Sequence, residues 1–303
     1  MNNFLKKLLV LVHYKKTNKW VHRYLQDDFS KKELEDIKKH VFKNKLLKPE
    51  ILNYLENINK EKRQIRKHYW NSFIENNLTA KHKKQTIQIS KTPIITATIV
   101  EARKHPHFKT IVQNVLSNLD HLEVGLNIYH GTENEVFVKN CLKDYKNIRY
   151  INLQVKNLDI EAYNKIMLSK EFHEAIPTEK FLVFQTDTIS FKALDEKFLH
   201  FDYIGAPWRK ANHKEYKATV GNGGLSLRSK SAMLNILQQN IPRASNMPED
   251  LYLSQILTAQ KFNIAPYDVA LQFATEDVYT ENTFGCHKSW ELITFDQLKK
   301  ILI

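Results

Sequence analysis

The chain is expected to be an α/β protein, with a mostly parallel sheet and flanking helices preceded by a small, basic, all-helical N-terminal module. Three observations predict this. From about residue 92, short β-branched apolar runs alternate with stretches of helix length, as in successive β–α–β units. Residues 1–90 hold 21 Lys and Arg against 9 Asp and Glu, whereas the remaining 213 hold 25 against 24. No glycine occurs before Gly125, so the opening segment has few tight turns. The expected division is a helical module over 1–90 and an α/β domain over 91–303.

Composition narrows the function classes. The 42% hydrophobic and 11% aromatic content fits a globular chain with a sizeable core. No run approaches the roughly 18 apolar residues of a membrane span. Lys6 and Lys7 interrupt the apolar start, and no small-residue cleavage site follows, so no secretory leader is expected. Cys141 and Cys286 stand too far apart for a metal motif or a disulfide framework, which points to a reducing cytoplasm. The net charge of +13 resembles a nucleic-acid signal, but its confinement to one segment argues against nucleic acid as the partner. Lysine-rich helices are commonly solvated faces. Here they also suit an anionic membrane surface, which would make the protein peripheral to the inner face of the membrane.

The elements follow in order. Ser30-Lys31-Lys32-Glu33 has the form of a capping box, and Leu34, Ile37, Val41 and Leu46 then recur at about helical period. Pro49 suits the first turn of a further helix carrying Ile51, Leu52, Tyr54, Leu55 and Ile58, continuing through KEKRQIRKHYWNSFI. The polar stretch 76–86 reads as a linker. ITATIV (95–100) is a continuous, β-branched strand of the kind buried in parallel sheets. Then come a helix over 108–119, a strand over 124–131, a helix around 133–143, a strand over 148–153 and a helix around 159–170. The strand FLVF (181–184) completes the series. Ligands of such sheets bind beyond the carboxyl ends of the strands. Attention therefore falls on Glu101, Arg103, His130, Gly131 and Asp187.

Each candidate has two readings. Asp187 is either the cap of a turn or a ligand for a hard cation carrying phosphates. Three of the seven glycines, Gly221, Gly223 and Gly224, crowd into GNGG. That crowding marks either a bulge or hairpin, or backbone that approaches a ligand closely or takes positive φ. Pro248 fits the start of a helix, with Glu249 and Asp250 next. Those carboxylates either complement the helix dipole or supply a general base. His287 is either structural or a metal ligand, and Lys288 suits phosphate.

In order, the strand ending in Asp187, IGAPW (204–208), NGGLSLR (222–228), PEDLYLS (248–254) and FGCHKSW (284–290) resemble glycosyltransferases of the GT-A fold. They are similar above all to a group of bacterial and viral glycosyltransferase-like proteins whose series begins with Val100-Glu101-Ala102-Arg103. The resemblance covers about residues 93–292 and implies a GT-A-like, Rossmann-like domain. It implies that Asp187 is the last aspartate of a DxD motif holding Mn²⁺ or Mg²⁺ against a diphosphate, with Gln185 replacing the first. It makes His287 the second metal or phosphate ligand. Glu101, Arg103, His130, Gly223, Gly224 and Lys288 fall on the nucleotide-sugar side, and Trp208 and Asn222 on the acceptor side. Asp250 matches the base of inverting members, with Glu249 beside it and able to exchange roles.

The function expected from the resemblance is transfer of a sugar from a nucleotide-sugar, in the first instance a UDP-sugar, to a hydroxyl of a glycan or lipid-linked acceptor. One base and one metal-bound leaving group imply direct displacement with inversion, unlike the paired carboxylates of hydrolases. Two alternatives stand beside it: a nucleotidyl- or phosphosugar-transferring enzyme on the same architecture, and a nucleic-acid or anionic-membrane binding protein with a degenerate α/β scaffold.

Overall fold

The computed structural model of the chain describes residues 49–82 and 87–303. The apolar start, the capping box at Ser30–Glu33 and the helix expected over 33–47 lie outside the described residues. Two compact units emerge: residues 49–73 with 289–303, and residues 74–288.

In the first unit, helix α1 (Pro49–Phe73) runs unbroken, as the apolar spacing after Pro49 predicts. Its Arg66 is buried and donates from Nε to the Trp290 carbonyl at 2.9 Å. Tyr69 meets Phe295 edge to face, with ring centroids 5.4 Å apart. No helix among the described residues is long and apolar enough to cross a membrane.

The second unit opens with a correction. A π-helical turn (Ile74–Leu78) and an α-helical turn (Thr79–His82) occupy residues 76–82 of the stretch expected as a 76–86 linker. Ile74 and Leu78 are buried one turn apart, and two such residues hold a polar stretch helical.

Strands β1 (Ile95–Glu101), β2 (Val124–His130), β3 (Ile148–Asn152) and β4 (Lys180–Phe184) pair in parallel, in the order β3-β2-β1-β4. Antiparallel β7 (Leu225–Ser229) then joins β4, and β6 (Tyr203–Ile204) joins β7, giving the expected mostly parallel α/β sheet. All seven residues of β1 and of β2 are buried, which is why those strands are rich in β-branched and apolar residues. One core cluster joins Val100, Tyr129, Phe181 and Val183 to residues of α4 (Ile160–Met167), α5 (Lys170–Glu174), α6 (Lys230–Gln238), α7 (Glu249–Ala259) and α8 (Tyr267–Phe273). The preceding α2 (Phe108–Ser117) and α3 (Glu135–Cys141) follow β1 and β2. A second sheet runs β5 (Thr188–Ser190), β9 (Gly285–His287), β8 (Ala274–Thr275).

The topology decides where functional residues meet. Because β7 is antiparallel to β4, Leu225 lies opposite Phe184, so the glycine turn before β7 sits at the carboxyl end of β4. In the second sheet, Thr188 lies opposite His287, which brings a residue 100 positions further along the chain beside Asp187.

His173 on α5 is buried, shares a hydrogen bond with the Met167 carbonyl at 2.9 Å, and packs edge-on to Phe172 and Phe181. Burial, reinforced by nearby Arg228, pushes its pKa down to about 3. The unfolded chain protonates the same ring near 6.5. Its stability contribution is therefore whole above about pH 6.5 and is lost as pH falls toward 3. Between pH 7.5 and 5 the wild type should lose about 2 kcal/mol more than His173→Gln in urea denaturation. Equal losses in the two proteins would contradict the assignment.

Candidate active site

The carboxyl ends of β1 and β4 are neighbours, and two networks occupy them. At β1, Glu101 is buried, and its oxygens accept from Nε and Nη2 of Arg103, each at 2.8 Å. Thr186, in the loop after β4, donates to Glu101 Oε2 at 3.2 Å. Asn134 pins the turn by donating to the carbonyls of Glu101 and Arg103 at 2.8 and 3.0 Å, while its Oδ1 accepts from Gly131 N. The Arg103 side chain stays 62% exposed, so its guanidinium is oriented by Glu101 and still open to an anion. His130 lies opposite Glu101 in the ladder, but its ring is buried against Tyr150 with Nδ1 on the Gly131 carbonyl.

At β4 the second network centres on His287. Its Nε2 lies 3.1 Å from Gln185 Oε1 and 3.2 Å from Asp187 Oδ1, and its Nδ1 lies 2.9 Å from Glu276 Oε1. Burial alone would lower the imidazole's pKa, but Asp187 and Glu276 outweigh it and push the value up to about 10. Asp187 answers in the opposite sense: burial would raise it, and His287 with Lys288 brings it down to about 2. Lys288 also donates its backbone N–H to the Asp187 carbonyl at 2.9 Å. Gly224 makes room for the ring: a Cβ there would fall 2.1–2.3 Å from three of its atoms.

The adjoining turn holds the two carboxylates of α7. Asp250 Oδ2 accepts from the backbone N–H groups of Asn222 and Gly223 at 3.1 and 3.0 Å, and Oδ1 accepts from Leu251 N at 2.8 Å. Three of roughly four lone-pair directions are thus taken, and the partly exposed carboxylate keeps one for a further donor. Glu249 is placed differently. It is buried, and both its oxygens are held by Nη1 and Nη2 of Arg228, each at 3.0 Å. Burial alone would lower the pKa of Arg228, but Glu249 holds the guanidinium charged and raises it. A Cβ on Gly223 would fall 2.3 Å from Glu249 Oε1. The glycines therefore serve close approach. None has positive φ, and the left-handed position in the turn belongs to Asn222, at φ 80°.

The acceptor-side candidates are set in the protein as follows. Asn222 is buried, and its Oδ1 accepts from Gly224 N at 3.0 Å, so the side chain shapes the turn. Trp208 packs edge-on to Tyr216, and its Nε1 is buried without a hydrogen-bond partner among the described residues. The structure thus gathers Glu101, Arg103, Gln185, Asp187, Gly223, Gly224, Asp250, His287 and Lys288 at one edge, with His130 turned away. Sequence reading missed Thr186, Asn134, Arg228 and Glu276. Each is brought to the site by folding and carried no local signal of its role.

Among the described residues no group of three or more His, Cys, Asp or Glu is arranged to hold a metal ion. Asp187 and His287, with the Gln185 amide oxygen, form a smaller donor set. His287 Nε2 lies 3.1 and 3.2 Å from the other two donor oxygens, close to the spacing of adjacent positions around an octahedral cation with bonds of roughly 2.1 Å. One or two protein carboxylates completed by substrate phosphates is the usual way Mg²⁺ is held, so the set fits a cation that arrives with a diphosphate.

A family described as "Protein of unknown function (DUF5672)" matches residues 147–287, less than half of the chain. No curated protein sequence matches. Among solved structures, the chain is similar to a mannosyltransferase from Pyrobaculum calidifontis in complex with GDP-Man and Mn²⁺, at 9% identity and TM-score 0.41, over 68% of this chain and 66% of that one. It is similar to the 4-diphosphocytidyl-2C-methyl-D-erythritol synthase from Anaerococcus prevotii, at 13% identity and TM-score 0.39, over 57% and 87%. Mouse xyloside xylosyltransferase 1 is similar at 10% identity and TM-score 0.43, over 69% and 100%. Likeness at this level assigns no role to any residue of this chain.

The two α7 carboxylates should separate by experiment. Glu249→Ala leaves Arg228 buried and unpaired and should cost about 3–5 kcal/mol of stability in urea denaturation. Asp250→Asn should stay within about 1 kcal/mol of wild type, since only hydrogen bonds at a partly open position change. Equal losses would contradict the division of roles.

Proposed function

We propose that the protein is a glycosyltransferase of GT-A type that moves a sugar from a nucleotide-sugar, in the first instance a UDP-sugar, to a hydroxyl of a glycan acceptor. The observation that carries the reading is the meeting of three features at one sheet edge: the Asp187–His287 donor set, the exposed Arg103 guanidinium, and the Asp250 carboxylate. Successive residues link the last to the first, since Gly223 bonds Asp250 and Gly224 lies on His287.

Asp187 and His287 would hold the divalent cation, with the Gln185 oxygen beside them. When bound, the cation supplies neutralisation of the charge that develops on the departing diphosphate. Arg103, aimed by Glu101, is placed to bind the same anion, and Lys288 adds positive charge near Asp187. Asp250 is held by three backbone N–H groups and is partly open, so it accepts the proton of the acceptor hydroxyl as that oxygen attacks the anomeric carbon. A single base gives displacement with inversion. Glu249 takes no part in proton transfer, because Arg228 occupies both its oxygens.

Calorimetric titration of UDP with and without Mn²⁺ tests the reading. Wild type should bind UDP in a Mn²⁺-dependent manner, and Asp187→Asn should lose that dependence. Asp250→Asn should keep binding but lose about 10²–10⁴-fold in turnover with the competent donor. UDP, GDP and CMP all failing to bind, or binding untouched by Asp187→Asn, would overturn the proposal.

A further inference from the structure

Glu276 lies outside every motif that the functional reading uses, yet it makes the shortest polar contact to His287, 2.9 Å between Oε1 and Nδ1. Its side chain is only 13% exposed, and it follows β8 directly, as Asp187 lies directly before β5. Between them runs β9, which carries His287 at its end.

The two ring nitrogens of an imidazole divide their tasks. A neutral ring that donates from Nδ1 must present a lone pair at Nε2. Here both nitrogens face acceptors, Nδ1 the Glu276 carboxylate and Nε2 Asp187 Oδ1 and Gln185 Oε1, so a cation taking the Nε2 lone pair would leave Nδ1–H donating to Glu276. Gly224 lies against the same ring with no room for a Cβ, so the ring's position is set by the surroundings. A carboxylate on the second nitrogen of a ligating histidine orients the ring and raises its basicity, commonly worth 10–100-fold in metal affinity.

We propose that Glu276 is a positioning residue that fixes His287 with Nε2 toward a divalent cation shared with Asp187. This rests on the metal-dependent reading of the site. It assigns Glu276 to cation binding through His287, with no contact to the reacting sugar.

The test measures Mn²⁺ binding by electron paramagnetic resonance in the full-length protein at saturating UDP, with folding followed by circular dichroism. Glu276→Ala should weaken Mn²⁺ binding by about 10–100-fold. Glu276→Gln keeps an oxygen acceptor for Nδ1–H and should recover most of that loss; it also serves if the alanine variant does not fold. If wild type binds Mn²⁺ and both variants match it, or if glutamine is no better than alanine, the positioning role is overturned while the metal site stands. If wild type binds no Mn²⁺ under any nucleotide, the functional reading itself fails and takes this inference with it.

Discussion

Asp187 and His287 meet because β5 and β9 pair antiparallel with Thr188 opposite His287. That register is the constraint on which the site depends. A slip of one residue would turn His287 to the other face of the small sheet and away from Asp187. The same pairing aligns Lys288 N with the Asp187 carbonyl, and Thr188 Oγ1 in turn donates to the Gly224 carbonyl at 2.9 Å. The glycine turn, the end of β4 and His287 are thus locked to each other by strand pairing and by the Thr188 hydroxyl.

The second fixed point is Arg228 with Glu249. Buried ion pairs contribute little net stability compared with apolar packing, because desolvation offsets the attraction. What this one supplies is position. Glu249 is the first residue of α7, so tying it to β7 fixes where the helix begins and where Asp250 stands. Asp250 then completes the Asn222–Gly223 turn. One carboxylate of the adjacent pair is held buried so that its neighbour can be held at the edge.

Much of this was legible in the sequence, for physical reasons. Strands buried on both faces favour β-branched and apolar residues, so 95–100 and 181–184 announced themselves, and the first strongly polar residues after them marked the ligand edge. Pro248 marked the helix start. Residues 76–82 of the expected linker were misread because Ile74 and Leu78 supply burial that composition does not show. The glycines were ambiguous because close approach and positive φ leave the same residue type. The structure assigns them to close approach and gives positive φ to Asn222. Arg228 and Glu276 were invisible as site residues because each acts through a partner brought by strand pairing or by a distant helix start.

The central claim is that Asp187 and His287 form one cation site with a bound diphosphate, and diffraction tests it most directly. Crystals grown with UDP and Mn²⁺, measured at the manganese absorption edge, should show an anomalous peak bonded to Asp187 and His287 Nε2 and to phosphate oxygens. UDP bound with no such peak, or manganese bound away from both residues, would contradict the account.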